Sequence, residues 1–265
     1  MRINNNITAI NSHRQYTINN NGIGRNVEKL SSGFRVNRAG DDAAGLAISE
    51  KMRTQIRGLN MASKNSQDGI SLVQTAEGAM QTAHNIMQRM RELAIQSANG
   101  TNDTTVDRAA LQLEFSQLNL ELSQIENTIK FNDMSIFNRS FTLQTGANQF
   151  DVTTFSVGSL NTIGNTTNIS GMAAAQSAIT VMTNAINSLS STRAQLGAVQ
   201  NRLEFKIQNL DNSAENLQAA ESRIRDVDMA KMMTEFTKNN ILFQASTAML
   251  AQANAIPQGV LQLLG

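Results

Sequence analysis

The 265-residue chain has no cysteine and no tryptophan, and it has one proline and one tyrosine. Without cysteine it forms no disulfide, offers no thiolate nucleophile and has no sulfur donor for a metal, so its stability is indifferent to the redox state of its compartment. Aromatic residues make up 4% of a chain that is 40% hydrophobic. A core must then come from Leu, Ile, Met and Ala, a mixture that suits thin helix-on-helix seams better than a deep pocket. Charge of one sign is also missing: a formal net charge of +1 leaves no positive potential to draw nucleic acid or an anionic bilayer, and neither is an expected partner. No run of about 18 apolar residues is present to span a membrane. Behind Met1-Arg2-Ile3-Asn4-Asn5-Asn6 there is no apolar segment of the kind that follows the charge of a secretory leader. Export, if it occurs, is expected to use a dedicated route that reads no cleaved leader.

What the chain does have is helical spacing at both ends. Asp41-Asp42 offers a helix start, because short carboxylates accept from free backbone N–H groups and sit well at the positive helix end. From Ala43 onward, Met52, Ile56, Leu59, Ile70, Val73, Met80, Met87 and Ala94 follow a register of fours and threes. Ser63, Ser66, Glu77, His84 and Arg91 are read as the intervening seam sites. A helix over 43–98 would be about 80 Å long at about 1.5 Å per residue. Asn99-Gly100-Thr101-Asn102-Asp103 is a stop and reversal. Leu111, Phe115, Leu118, Leu122, Ile125 and Ile129 then predict a second helix over about 105–130, folded back antiparallel on the first. A third, over about 175–224, follows from Ile179, Met182, Ile186, Leu189, Leu196, Leu203, Ile207, Leu210, Ala214, Leu217 and Ile224, with Arg193, Gln200 and Glu221 interrupting the seam. Its length matches the first, and the two are expected partners.

Between them the period changes to two. Phe141, Leu143 and Thr145, then Phe150, Val152 and Thr154, alternate around Gly146-Ala147-Asn148-Gln149, which reads as a short hairpin. Residues 158–171 are mostly Ser, Thr, Asn and Gly, with Leu160, Ile163 and Ile169 to bury, and read as a surface loop or irregular cap. The whole is a mainly α chain: a long antiparallel coiled-coil or bundle rod with a small β-hairpin region at about 138–172.

The extremities differ. Ile3, Ile7, Ile10, Ile18, Ile23, Val27 and Leu30 are spaced as in a helix, but the many asparagines compete for backbone hydrogen bonds, so this end alone is expected to be disordered. At the other end Met229, Met233, Phe236, Phe243, Leu250 and Val260 share a side, and Pro257 is expected to bend or break the helix before Val260, Leu261, Leu263 and Leu264. The stripe through Ile3, Ile7 and Ile10, with that through Phe236, Phe243, Leu250, Val260, Leu261 and Leu264, leaves apolar surface that an assembly would bury. These are the candidate polymerisation residues.

Catalysis finds little support. His13 and His84 are the two histidines, and neither has another ligand type at helical spacing. His84 reads as packed or hydrogen-bonded. Asp41 and Asp42 are read as caps and not as an acid-base pair. Gly22-Ile23-Gly24 lacks the third glycine and preceding strand of a phosphate loop. Asn138-Arg139-Ser140, Asn165-Thr166-Thr167 and Asn168-Ile169-Ser170 match a glycosylation pattern short enough to arise by chance in an Asn-rich chain. No catalytic residue, cofactor or metal site is assigned, and the chain is read as no enzyme.

Leu30-Ser31-Ser32-Gly33-Phe34-Arg35-Val36-Asn37-Arg38-Ala39-Gly40-Asp41-Asp42-Ala43-Ala44-Gly45 resembles the signature region of bacterial flagellins. The likeness continues through Gln55-Ile56-Arg57-Gly58-Leu59-Asn60 and Arg89-Met90-Arg91-Glu92-Leu93-Ala94-Ile95-Gln96-Ser97-Ala98-Asn99-Gly100-Thr101. It returns at Arg223-Ile224-Arg225-Asp226-Val227-Asp228-Met229-Ala230 and Gln252-Ala253-Asn254. The resemblance implies the self-assembling subunit of a flagellar filament, secreted unfolded, with 1–40 and 226–265 forming an inner terminal domain and 41–225 a rod domain. Large outer domains are missing from the middle, so the chain resembles a minimal flagellin.

The resemblance further implies a flagellin export chaperone, the export apparatus, and filament cap and hook-junction proteins as partners. Gln88, Arg89, Leu93 and Glu114 match residue types through which flagellins meet the Toll-like receptor for flagellin, or else serve as subunit contacts. A hook-filament junction protein is the nearest alternative, and a cytosolic coiled-coil adaptor a more distant one. An external filament is implied, and a periplasmic one stays open.

Overall fold

The computed structural model describes residues 6–103, 106–160 and 167–264, with 257–264 by backbone alone. Among these described residues, five helices carry most of the length: α1 Ile7–Ser32, α2 Ala43–Ser97, α3 Asp107–Thr128, α4 Met172–Arg225 and α5 Met229–Leu264. Four short strands, β1 Lys130–Phe131, β2 Met134–Ser135, β3 Arg139–Gln144 and β4 Val152–Val157, form two antiparallel pairs between α3 and α4. The fold is mainly α with small β pairs, as the periodicity predicts. The chain divides into two compact units, Met1–Ile56 with Glu215–Gly265, and Arg57–Ala214.

Within Arg57–Ala214 the core is a heptad seam. Val73, Met80, Met87 and Ala94 alternate with Ala76, Ala83, Met90 and Ser97, all buried, so the sites fall at threes and fours as coiled-coil packing requires. Glu77, His84 and Arg91 are half-buried beside this seam and do not occupy its second row. The expected register was one residue out at those three sites, because alanine at 76 and 83 gives a weaker pattern signal than the bulky polar neighbour. On α4, Ala175, Met182, Leu189, Leu196 and Leu203 are buried seven residues apart, with Ala178 and Ala185 in the intervening row. Phe115 and Leu122 bring α3 into the same core.

Polar contacts give the directions. Arg193 Nη2 lies 3.6 Å from Glu77 Oε1, and Arg91 Nε donates to Thr183 Oγ1 at 3.1 Å, so α2 and α4 run antiparallel. Arg89 meets Glu114, and Arg108 Nε donates to the Ser97 carbonyl at 3.0 Å, so α3 folds back along α2 as expected. Polar residues flanking the seam thus fix alignment where small side chains slide easily.

The hairpin pairs β3 with β4, Phe141 opposite Phe155 with ring centroids 5.7 Å apart, both buried. Phe150, expected in the second strand, is instead in the connection and 86% exposed, because the ladder begins at Gln144 and Val152 and leaves a longer loop. The pair β1 and β2 was not foreseen. Asn132 and Asp133 both have positive φ, 49° and 61°, which is the two-residue turn that short Asx side chains tolerate. Leu160 and Ile169 are buried and anchor the segment between β4 and α4, while Ile163 and the Asn165-Thr166 motif lie outside the described residues.

Candidate assembly surface

The terminal unit begins with local chemistry. Asn6 caps α1: its Oδ1 accepts from the Ala9 N–H at 3.1 Å. Gly33, at φ 74°, closes the other end, donating to the Lys29 carbonyl at 2.9 Å from a left-handed conformation that glycine adopts without strain. Asp42 Oδ1 accepts from the Gly45 N–H at 2.8 Å and caps α2. Asp41 serves otherwise: its Oδ2 accepts from the N–H groups of Asn37 and Arg38, closing the turn before the helix. Those two bonds, and the Lys29 charge after them, hold the Asp41 carboxyl below its ordinary value.

The asparagine-rich end is helical, which corrects the expectation of disorder. Two of its asparagines, Asn6 and Asn19, turn their amide N–H groups outward to α5, where helix pairing offsets what asparagine costs its own helix. Asn6 Nδ2 donates to the Ala253 carbonyl at 2.7 Å, and Asn19 Nδ2 donates to Ser246 Oγ at 2.8 Å and the Leu242 carbonyl at 3.3 Å. Tyr16 packs on Phe243 with centroids 4.9 Å apart, and a Cβ at Gly22 would lie 3.2 Å from Asn239 Nδ2. Asn6 with Ala253, Tyr16 with Phe243 and Gly22 with Asn239 set one antiparallel alignment. Of the bend or break expected at Pro257, the break is corrected, since α5 continues to Leu264. One proline removes one N–H, and a carbonyl left without its helical donor can be served from elsewhere.

The connections at the other end of this pair are tied together. Arg35 N–H donates to the Arg225 carbonyl at 2.7 Å, and Val227 N–H to the Gly33 carbonyl at 3.0 Å. The Arg225 guanidinium lies 4.8 Å from the Phe34 ring centroid and 2.5 Å from Glu50 Oε1. That bond is the main reason the Glu50 carboxyl sits below its ordinary value.

Burial is thin here. Of the described side chains on α1 and α5, the buried ones are Asn26, Met232 and Ala253. Among the expected polymerisation residues, Ile7 and Ile10 are 60% and 62% exposed, and Phe236, Phe243 and Leu250 are half-buried in the pair. Ile18, Ile241, Leu242, Met249 and Ile256 add to the exposed set. Ile3 and the side chains of Val260, Leu261 and Leu264 lie outside the described residues.

A second group sits within Arg57–Ala214. Arg89 Nη2 lies 2.9 Å from Glu114 Oε1 and its Nη1 3.2 Å from Glu92 Oε2. These carboxylates, Glu114 first, hold the guanidinium above its ordinary value. Gln88 is exposed and bonds the His84 ring at 2.9 Å. Leu93 is 0% exposed, packed in the core beneath this surface, so it supports the patch without being part of it.

Sequence reasoning missed three working polar residues. Asn6 was legible as a cap by its place before Ile7, but its second bond requires knowing where α5 passes. Arg108 and Arg225 are arginines whose acceptors are mainly carbonyls or residues far along the chain, and no spacing announces them.

Comparisons with known proteins place the same segments. Residues 3–142 match the bacterial flagellin N-terminal helical region, and residues 179–264 the bacterial flagellin C-terminal helical region. The chain is 56% identical to a flagellin of Halalkalibacterium halodurans and 51% identical to a flagellin of Bacillus subtilis, each over the full length of both chains. It is 46% identical to the flagellar filament 33 kDa core protein of Treponema phagedenis, again over all of both. Among solved structures, Bacillus cereus flagellin superposes with a TM-score of 0.51 at 31% identity, covering 60% of this chain and 94% of that one. No helix among the described residues is long and apolar enough to cross a membrane.

Proposed function

The chain belongs to the bacterial flagellin family and is a structural subunit that polymerises into the flagellar filament, and from that premise we propose that its terminal segments, 1–40 and 226–265, carry the polymer contacts. The observation that carries this reading is the contrast in burial. The seam of α2, α3 and α4 buries a continuous core and leaves single residues such as Leu113 and Phe205 exposed. The described side chains of α1 and α5 bury only Asn26, Met232 and Ala253 and expose Ile7, Ile10, Ile18, Ile241, Leu242, Met249 and Ile256. Removing apolar area from water yields about 25 cal/mol per Å², so these side chains reward contact with sister copies. Because the patches on α1 and α5 differ, they favour heterologous contacts, which propagate as an open helix and do not close into a ring.

Export through a dedicated route, a chaperone that covers the apolar side of α5 before assembly, and a cap and hook-junction proteins at the filament ends complete this reading. The exposed Arg89 and Glu114 pair, with Gln88 beside it, supports a contact surface for a neighbouring subunit or for the Toll-like receptor for flagellin. Flagellin matches at both ends of the chain disfavour the hook-filament junction alternative. The test is seeded polymerisation of the purified chain followed by electron microscopy. Long filaments are expected from the intact chain and none from a chain lacking 1–40, and normal filaments from that truncation would overturn the assignment.

A further inference from the structure

In an α-helix the N–H of each residue donates to the carbonyl four residues earlier. Residue 257 is proline and has no N–H to give, so the Ala253 carbonyl lacks its usual helical donor. Ala253 is, with Met232, one of the two buried residues among the described side chains of α5, where water does not readily make up the loss. The Asn6 side chain fills that place: Nδ2 donates to the Ala253 carbonyl at 2.7 Å while Oδ1 accepts from the Ala9 N–H and from the Thr8 hydroxyl. One amide therefore starts α1 and completes α5.

We propose that Pro257 and Asn6 together form a register lock on the terminal helix pair, acting as positioning residues for assembly. The argument is one of uniqueness. The described side chains of the two helices bury little, so their apolar contact chooses poorly between alignments that differ by a turn of about 5.4 Å. A polar contact chooses well only if its acceptor is singular. The chain has a single proline, so Ala253 is the one interior carbonyl of α5 deprived of its donor in this way. Asn19 adds a second bond to Ser246, but hydroxyls and carbonyls of that kind recur along the helix. With the pair so aligned, Ile7 and Ile10 stand in a fixed relation to Met249 and Ile256, and a neighbouring copy meets one surface. The lock rests on the reading that this pair carries polymerisation.

The test is a two-residue cycle in the full chain. Asn6→Ser keeps an acceptor for the Ala9 N–H but is too short to reach Ala253, and it is expected to raise the critical concentration for seeded elongation about tenfold. In a Pro257→Ala background, where residue 257 regains an N–H for Ala253, the same change is expected to raise it less than about twofold. Equal rises in the two backgrounds would overturn the lock. A second measurement does not depend on the variants assembling alone. Asn6→Ser subunits carrying carbonyl-labelled alanine at 253 are co-assembled as a minority with unlabelled, unsubstituted chains. The Ala253 carbonyl resonance is expected to move toward that of an unbonded carbonyl, and an unmoved resonance overturns the proposal. Failure of the unsubstituted chain to elongate would overturn the assembly reading and the lock with it, whereas uncoupled effects in a chain that elongates normally overturn the lock alone.

Discussion

Replacing Arg108 by Met should loosen the turn between α2 and α3, and the size of the loss follows from what its guanidinium holds. The residue is 7% exposed. Its Nε donates to the Ser97 carbonyl at 3.0 Å and its Nη2 to the Asn99 carbonyl at 3.1 Å, both at the end of α2, where the helix leaves carbonyls unpaired. A cation there also complements the negative end of the helix. The Ser97 hydroxyl in turn donates to the Ile169 carbonyl, and the Ile169 N–H donates to Gln112 Oε1 at 2.6 Å, so the same turn anchors the segment before α4. Methionine keeps much of the apolar stem, which isolates the polar loss. A hydrogen bond to a charged group is worth about 1.5–3 kcal/mol. Losing two, with partial replacement by water, gives about 3 kcal/mol. At about 2–4 °C per kcal/mol for 150–250 residues, the melting temperature should fall by about 6–12 °C. Calorimetry of the unpolymerised chain measures it, with Arg108→Lys as the variant that restores one bond and part of the loss. A fall under about 2 °C would show that the guanidinium is not holding this turn.

Ile10→Ser should raise the critical concentration about tenfold, since most of a side chain worth about 1.5–3 kcal/mol when fully buried is exposed before assembly; an unchanged value by sedimentation would remove Ile10 from the polymer contact. Leu93→Ala should lower stability by about 2–5 kcal/mol through a core cavity, whereas Arg89→Ala, at an exposed pair, should cost under about 1 kcal/mol. Reduced receptor signalling from Arg89→Ala at unchanged melting temperature would mark the patch as a receptor contact, and full signalling would exclude that role. Glu50 and Asp41 have folded-state pKa values below their ordinary ones, so their stabilisation is complete above the unfolded pKa near about 4 and is lost as pH falls through the depressed value. Glu50→Gln should therefore flatten the dependence of melting temperature on pH between 7 and 3, and a slope equal to that of the unsubstituted chain would contradict the Glu50 contribution.

The long helices were legible because their apolar residues recur over dozens of positions, and a pattern of that length survives polar interruptions. Phe115 and Leu122 illustrate this: both were placed on the seam by spacing, and both are buried. The register error at Glu77 and His84 has the opposite cause, since Ala76 and Ala83 are nearly silent against a polar background, and the same register carried onward passed over Met90 for Arg91. The hairpin was legible from alternation, but Phe150 was misplaced because a loop aromatic looks like a strand residue when its partner across the ladder is unknown. Asn132 and Asp133 carried a turn signal that spacing alone overlooked. At the candidate assembly surface the apolar residues could be read from the ends of the chain, but the asparagine contacts could not. Propensity counts what asparagine costs its own helix, and it is blind to a second helix passing within reach.

That blindness explains why the terminal pair misled the sequence reading while the seam of α2, α3 and α4 did not. In the seam, stability comes from buried Leu, Met and Ala, and such side chains announce themselves by type. In α1 and α5 the alignment set by the Tyr16 and Phe243 rings is completed by single polar bonds, Asn6 to Ala253 and Asn19 to Ser246. Each such bond is worth about 1 kcal/mol net, too little to hold a helix pair by bulk and enough to choose one alignment over its neighbours. Weak burial with polar alignment suits a surface that must be orderly before partners arrive and still have apolar area left to give them. A pair as thoroughly buried as the seam of α2 and α4 would leave less of its apolar area for a partner.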